Sequence, residues 1–446
     1  MRVGKSLKFV VPLAALAAIG GAWFVNRTPA SPFDGMAASP PSPDLARRGE
    51  EVARAADCVA CHGLPGKPPF TGGLKMATPL GAIFATNITP DKATGIGNYT
   101  LADFDRAVRS GVTPDGRRLY PAMPYPSYSK LSNADVRALY AFFMSVVPAA
   151  HQTNRPSEIR WPLNMRWPLA FWNAIFTQPG AYRAKPDHDE LWNRGAYLVQ
   201  GPGHCGSCHT PRSFAMNEKA LDESSPLYLS GGLLDGWYAP SLRGDANRGL
   251  GRWSEEEIQQ FLKTGRNRHA VVFGSMTDAF NNSLQYMPDE DLKAIARYLK
   301  SLPGNPGVDG KPWTYQAGAA PSPSASPGAA IYQAKCSFCH GNDGRGQGQW
   351  IPPLAGSASS LSPDGAASAI NATLNGSNRI VAQGIPDAYR MPPFRNQLSD
   401  KDIAHVLSFV RGAWGNDGGK VSPAEVARLR RRTDPASSDV IILQMH

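Results

Sequence analysis

Five residues occur three times in this chain: Cys58-Val59-Ala60-Cys61-His62, Cys205-Gly206-Ser207-Cys208-His209 and Cys336-Ser337-Phe338-Cys339-His340 all read Cys-x-x-Cys-His. This spacing attaches c-type haem, because the two thiols can add across the porphyrin vinyl groups while the adjacent His swings in as proximal iron ligand. One copy could arise by chance, and two could be a zinc site with a neighbouring His. Three copies that use all six cysteines leave haem as the reading. The expected cofactor is three covalently bound haem c groups, carried by Cys58 and Cys61, Cys205 and Cys208, and Cys336 and Cys339, with His62, His209 and His340 on the irons. No cysteine is left for a disulfide, and covalent haem attachment belongs outside the cytoplasm.

The motifs sit inside a longer repeat. Each copy opens with a short helix starting near a glycine, at Gly49, Gly195 and Gly328, and each closes with a helix led by a parallel hexamer. The hexamers are Leu131-Ser132-Asn133-Ala134-Asp135-Val136, Met287-Pro288-Asp289-Glu290-Asp291-Leu292 and Leu398-Ser399-Asp400-Lys401-Asp402-Ile403. Ser or Pro followed by acidic residues marks a helix start, and the preceding apolar residue is its staple. A middle helix also repeats: Gly95-Ile96-Gly97-Asn98-Tyr99-Thr100 and Gly249-Leu250-Gly251-Arg252-Trp253-Ser254 lead amphipathic stretches ending at Gly111 and Gly265, with a constant offset of 154 residues. Residues 366–374 hold the corresponding place in the third copy. Such self-similarity predicts duplication of a whole all-α unit, and 446 residues suit roughly three domains of ordinary size.

A low-spin electron-transfer haem needs a sixth ligand, commonly a Met thioether that raises the potential. The ligand is expected in a loop after the middle helix. The first copy offers Met123 in Leu119-Tyr120-Pro121-Ala122-Met123-Pro124-Tyr125, and the third offers only Met391 in Tyr389-Arg390-Met391-Pro392-Pro393. Met216, Met276 and Met287 compete in the second. Met123 lies 12 residues after Gly111 and Met276 lies 11 after Gly265, whereas Met287 fills the staple slot of Leu131 and Leu398. The repeat therefore assigns Met276, and a thioether at Met287 reads as core filler. Each proximal His should donate its other ring N–H to a backbone carbonyl; Pro240 and Pro353 are the candidates for the second and third copies.

The ends and joints differ from the units. Arg2, Lys5 and Lys8 precede an apolar run from Phe9 to Val25, so the N-terminus is expected to stay inside and the rest to be exported. The run is 17 residues long, above a usual signal core and at the lower limit for a span; with Trp23 and Phe24 at its end it reads as a retained anchor rather than a cleaved leader. The boundaries that follow are a signal or anchor segment 1–27, a tether 28–43, units 44–150, 186–303 and 328–416, an aromatic-rich connector 151–185, a flexible linker 304–327 and a basic, helical and partly disordered tail 417–446. The connector, with Trp161, Trp167, Phe171, Trp172 and Phe176, has two readings: packing between the first two units, or a surface for membrane, quinone or partner.

Net charge is +10, which favours acidic partners or anionic headgroups, but no aromatic-plus-basic pattern points to nucleic acid. No Ser-His-Asp order, Walker loop or dinucleotide fingerprint marks a substrate-oxidising site. A multihaem peroxidase would need an iron with a displaceable sixth ligand, against which a methionine in every copy argues.

Thr86-Asn87-Ile88-Thr89-Pro90-Asp91, Gly95 to Thr100 and Leu119 to Tyr125, together with Asn193-Arg194-Gly195 and His204 to Arg212, resemble the trihaem cytochrome c subunits of bacterial membrane-bound dehydrogenases acting on alcohol, gluconate, sorbitol or fructose. The resemblance covers most of residues 45–415. It implies three class I-like cytochrome c domains in tandem behind an N-terminal hydrophobic helix. It also implies a partner dehydrogenase catalytic subunit and delivery of electrons to ubiquinone or a terminal oxidase, on the periplasmic side of the cytoplasmic membrane or free in the periplasm. Several members carry a C-terminal membrane anchor that this chain lacks, so the N-terminal run would have to substitute. Similar cytochromes accompany molybdenum hydroxylases, and an autonomous or oxidase-associated carrier is the other alternative.

Overall fold

The computed structural model describes residues 19–36, 41–234, 236–317, 324, 326–377 and 389–434. Among these the dominant feature is one helix crossing made three times. Helix Pro43–Ala55 crosses Asn133–Ser145, Glu190–Gln200 crosses Asp289–Ser301, and Pro327–Lys335 crosses Asp400–Val410. A Cβ on Gly49 would lie 1.9 Å from the Ala138 carbonyl oxygen, one on Gly195 2.0 Å from that of Ala294, and one on Gly328 2.2 Å from that of His405. The glycines are there because only a hydrogen fits where the backbones touch.

This revises the expected helix starts. The first two opening helices begin several residues before their glycine, capped by Ser42 and Asp189, whose side-chain oxygens accept the N–H of Leu45 at 3.2 Å and of Trp192 at 2.7 Å. Only the third starts beside its glycine, behind Ser326. The closing helices start within the hexamers, with Ser132 and Ser399 as caps. The middle helices also fall where the repeat puts them. Leu101–Asp105, running on as the π-helical turn Arg106–Ser110, and Glu255–Thr264 both begin with a capping box and end on a left-handed glycine, Gly111 or Gly265. Their counterpart Ala366–Asn375 ends at Gly376.

The purely helical expectation needs one correction. Two short antiparallel hairpins, Lys75–Thr78 with Gly81–Phe84 and Gly232–Leu234 with Trp237–Ala239, follow the first and second motifs. Strands of three or four residues are too short to show alternation. Met76, Ile83 and Ala85 close the first hairpin over Ile159 of the connector.

The first two crossings share one apolar core running from Phe33 to Leu302, while the third has its own, built on Tyr332, Ile370, Ile403 and Val426. Polar contacts reinforce the first junction: buried Asp135 pairs with Arg48 at 2.7 Å and accepts the Tyr197 hydroxyl of the second opening helix. The third unit is tied on through Ser368, whose hydroxyl accepts the Tyr238 N–H at 2.8 Å and donates to the Tyr238 carbonyl at 3.1 Å.

Segments expected to hang free are partly seated. In the tether, Phe33 is buried and the Ser31 hydroxyl donates to Asp105 at 2.7 Å. In the linker, the Asn247 side chain holds the carbonyls of Asp309 and Lys311 and the N–H of Trp313, at 2.7–2.8 Å. In the tail, helix Pro423–Arg432 buries Val426 and Leu429 on the third core, and Arg430 pairs with Asp400 at 2.7 Å; residues 435–446 lie outside the described residues. Of the apolar run, residues 9–18 also lie outside them and residues 19–26 are helical. No helix among the described residues is long and apolar enough to cross a membrane.

Gly195→Ala is expected to force the second crossing apart at a cost of about 1–3 kcal/mol, while Gly307→Ala, whose Cβ would meet only Asn305 Oδ1 at an ordinary contact distance of 3.4 Å, should stay within about 0.5 kcal/mol. Chemical denaturation of the holo-protein followed by circular dichroism checks both.

Candidate functional site

Each Cys-x-x-Cys-His segment is a single helical turn, at Cys58–His62, Gly206–His209 and Ser337–His340. The turn puts both cysteines and the histidine on the wall of one cavity, to which all six cysteines, all three motif histidines and Met123, Met276 and Met391 contribute. Its volume is about 2310 Å³, more than twice the upper end of the roughly 300–1,000 Å³ of an ordinary ligand pocket.

The histidines are held alike. The Nδ1 of His62 lies 2.6 Å from the Thr86 carbonyl oxygen, that of His209 2.7 Å from Pro240, and that of His340 3.1 Å from Pro352. In each, Nδ1–H donates to the carbonyl, which fixes the tautomer and leaves Nε2 as the ligating atom. Burial lowers all three imidazole pKa values, partly opposed by these hydrogen bonds, so the rings are neutral and able to bind metal. The Pro240 expectation matches. In the third copy the acceptor is Pro352 rather than Pro353: of two adjacent prolines, the first turns its carbonyl to the ring. The first copy's acceptor, which the repeat left unassigned, comes from Thr86. That loop is stiffened by Asn87, which donates to the Ala150 carbonyl at 2.8 Å and accepts the Thr89 N–H at 2.9 Å.

Burial also pushes the thiols up, to about 12 for Cys58, Cys61 and Cys205 and about 11 for Cys336. They are protonated, weakly polar wall groups rather than reactive thiolates. Cys208 also raises the Cys61 thiol slightly. His204, preceding Cys205, sets its ring edge-on to Tyr128 at 5.6 Å, and Tyr128 donates to the Ala56 carbonyl at 2.7 Å. His204 thus helps join the two motifs.

The methionines differ in their supports. Met123 lies before the short helix Tyr125–Tyr128, its N–H bonded to the Tyr120 carbonyl at 3.2 Å. Met276 begins helix Met276–Asn282, which packs on the first motif's helix. Met391 is pinned against Ser377, whose N–H reaches the Met391 carbonyl at 3.0 Å and whose hydroxyl accepts the Met391 N–H at 2.9 Å. Met216 and Met287 also touch the cavity wall. However, Met216 is solvent-exposed, and Met287 is only 5% exposed within the shared core, in the staple position.

Two carboxyls escaped the sequence reading. Asp57, in a left-handed conformation just before Cys58, is half-buried, with its Oδ1 enclosed and unpartnered; desolvation, with Asp278 adding to it, holds its pKa well above the usual range. Burial pushes Asp278 itself up to about 6. A lone Asp on either side of a junction leaves no periodic signal.

The residues fit haem: paired thiols for the vinyl groups, neutral imidazoles with one nitrogen tied back, thioethers, and an apolar wall able to cover a porphyrin. When bound, that group supplies one-electron chemistry; the chain orients the imidazole and excludes water. Among the described residues no cluster of three His, Cys, Asp or Glu offers another metal site.

Comparison with known proteins points to the cytochromes c. The family described as Cytochrome c matches residues 46–146 and 193–303, and the family described as Cytochrome C oxidase, cbb3-type, subunit III matches residues 323–410. The gluconate 2-dehydrogenase cytochrome c subunit of Pantoea cypripedii is 46% identical, over 90% of this chain and 93% of its own. The cytochrome c subunit of the quinone alcohol dehydrogenase of Gluconacetobacter polyoxogenes is 47% identical, over 88% and 86%. This chain belongs to the family of dehydrogenase cytochrome c subunits. The fructose dehydrogenase cytochrome subunit of Gluconobacter japonicus, 36% identical over 90% of this chain and 85% of its own, is a more distant relative. As a cytochrome c subunit, the chain carries covalent haem c and transfers electrons.

Met276→Ala is expected to remove one share of the thioether-to-iron absorption near the red end of the oxidised spectrum. Met287→Ala should keep that band and lower stability by about 2–5 kcal/mol; absorption spectra and denaturation curves of the two variants separate the roles.

Proposed function

We propose that this protein is a trihaem electron-relay subunit with three class I-like cytochrome c domains, at 44–150, 186–303 and 328–416, each with a His/Met-ligated haem. The ligand pairs are His62 with Met123, His209 with Met276 and His340 with Met391. It takes electrons from a dehydrogenase catalytic subunit and passes them to ubiquinone or another respiratory acceptor on the periplasmic side of the cytoplasmic membrane. The observation that carries this reading is the single cavity whose wall brings together all three motif histidines and all six cysteines with Met123, Met276 and Met391. Continuity between the sites is what a relay requires, since electrons then need not leave the protein between haems. The relatives named for gluconate, alcohol and fructose dehydrogenases support a catalytic partner of that kind.

A second reading rests on a nicotinate dehydrogenase subunit of Pseudomonas putida, 39% identical over 84% of this chain but only 30% of its own length. It would make the partner a hydroxylase of N-heterocycles, with this chain as a separate cytochrome.

Pyridine haemochrome analysis of the purified chain is expected to give three haems, and solubilised membranes should yield it together with a catalytic subunit. Two haems or fewer would break the domain assignment. Isolation alone, with reduction by unrelated donors, would count against a dedicated partner, and a molybdenum-containing partner would select the second reading.

A further inference from the structure

The connector does two things at once. Helix Leu169–Phe176 is fixed on its inner face: Trp172 Nε1 donates to the Ala215 carbonyl at 2.9 Å, Tyr125 donates its hydroxyl to Asn173 Oδ1 at 2.7 Å, and Ala170 is buried. The outer face, one turn apart at Phe171 and Ile175, points to solvent, and Ile175 is 70% exposed. Trp161, 78% exposed, with Leu163 and Trp167, extends this apolar face along the preceding turns. A soluble surface hides side chains of this size unless something covers them.

The position of the N-terminal run says what covers them. Phe24 packs on Phe171 with ring centroids 5.1 Å apart, and Trp23 beside it is 65% exposed. The buried Arg118 guanidinium donates to the carbonyls of Val25 at 3.2 Å and Arg27 at 3.3 Å, fastening the end of the run to the first domain. The described end of the run, Trp23 to Arg27, therefore meets the folded protein at the edge of this patch. Charge points the same way. From 159 to 186 the connector has Arg160, Arg166, Arg183 and Lys185 and no Asp or Glu, and residues 9–33 contain no acid either. Exposed Trp, Phe and Ile on a stretch whose charges are all basic, with Arg160 and Arg183 exposed, is the composition of a surface that sits at the boundary of acyl chains and anionic headgroups.

We propose that the connector face of Trp161, Leu163, Trp167, Phe171 and Ile175, continuous with Trp23, is inserted in the interface of an anionic lipid bilayer. It would be a second, in-plane membrane contact that fixes the orientation of the first two domains on the membrane. This rests on the membrane-side location proposed above.

Holo-protein bound to phosphatidylcholine–phosphatidylglycerol vesicles whose acyl chains carry a photoactivatable diazirine tests it by tryptic peptide mapping. The peptide Trp167–Arg183 should be labelled roughly tenfold or more above Trp253–Lys263, which holds the acidic middle helix. The double variant Phe171→Ser with Ile175→Ser should lose most of that label while keeping its haem content. Label in residues 1–27 with the connector at background would overturn the seat but leave membrane attachment standing, whereas no label anywhere would overturn both. A double variant that labels like the native chain but no longer co-purifies with a catalytic subunit would overturn the lipid assignment in favour of a protein interface.

Discussion

The bond from each proximal histidine to a backbone carbonyl is what the rest of the structure serves. A histidine at the end of a one-turn helix can rotate about its side-chain torsions, and a metal site needs it in one orientation and one tautomer. The acceptors lie 24, 31 and 12 residues beyond their histidines, in loops with no regular backbone pattern of their own. Something else must hold them. In the first domain it is Asn87 and the chain around Ala150; in the second, Ser241 beside Pro240, whose hydroxyl donates to Asp245 at 2.6 Å. In the third domain Asn416 accepts the Gly356 N–H at 2.8 Å and donates to the Leu354 carbonyl at 3.1 Å. The helix crossings at Gly49, Gly195 and Gly328 set the frame on which these loops are hung.

The frame was legible in the sequence because it is periodic. The motif turns, the closing hexamers and the constant offset between the first two middle helices each come from local rules of capping and amphipathic spacing, and the structure follows them closely. The proximal acceptors were harder. Pro240 could be named from its context, but Pro353 was named where Pro352 serves, because which of two neighbouring carbonyls faces a ring is a tertiary matter. Thr86 was in view only as part of a resemblance. The glycines were seen but given the wrong role, as helix starts instead of crossing points, since a sequence shows that a Cβ is missing and not what would collide with it. Asp57, Asp278 and the two hairpins had no pattern to betray them.

The two junctions are of different kinds. The first and second domains share an apolar core and a buried carboxylate contact between Asp135 and Tyr197. The third keeps its own core and is joined by backbone-directed hydrogen bonds at Ser368 and by the seated linker around Asn247. In the proposed relay the first two sites would share one core and the third would be attached through a more polar contact. The connector belongs to the first pair, bridging Tyr125 of the first domain and Ala215 of the second, which lets a surface contact on its outer face orient both.

Axial ligation is the property on which the proposed trihaem relay depends. Low-temperature near-infrared magnetic circular dichroism of the fully oxidised protein reads axial ligands directly. Three low-spin ferric haems per chain, all with histidine–methionine charge-transfer bands, is the predicted result. A bis-histidine band, or a high-spin haem with an open sixth position, would contradict it.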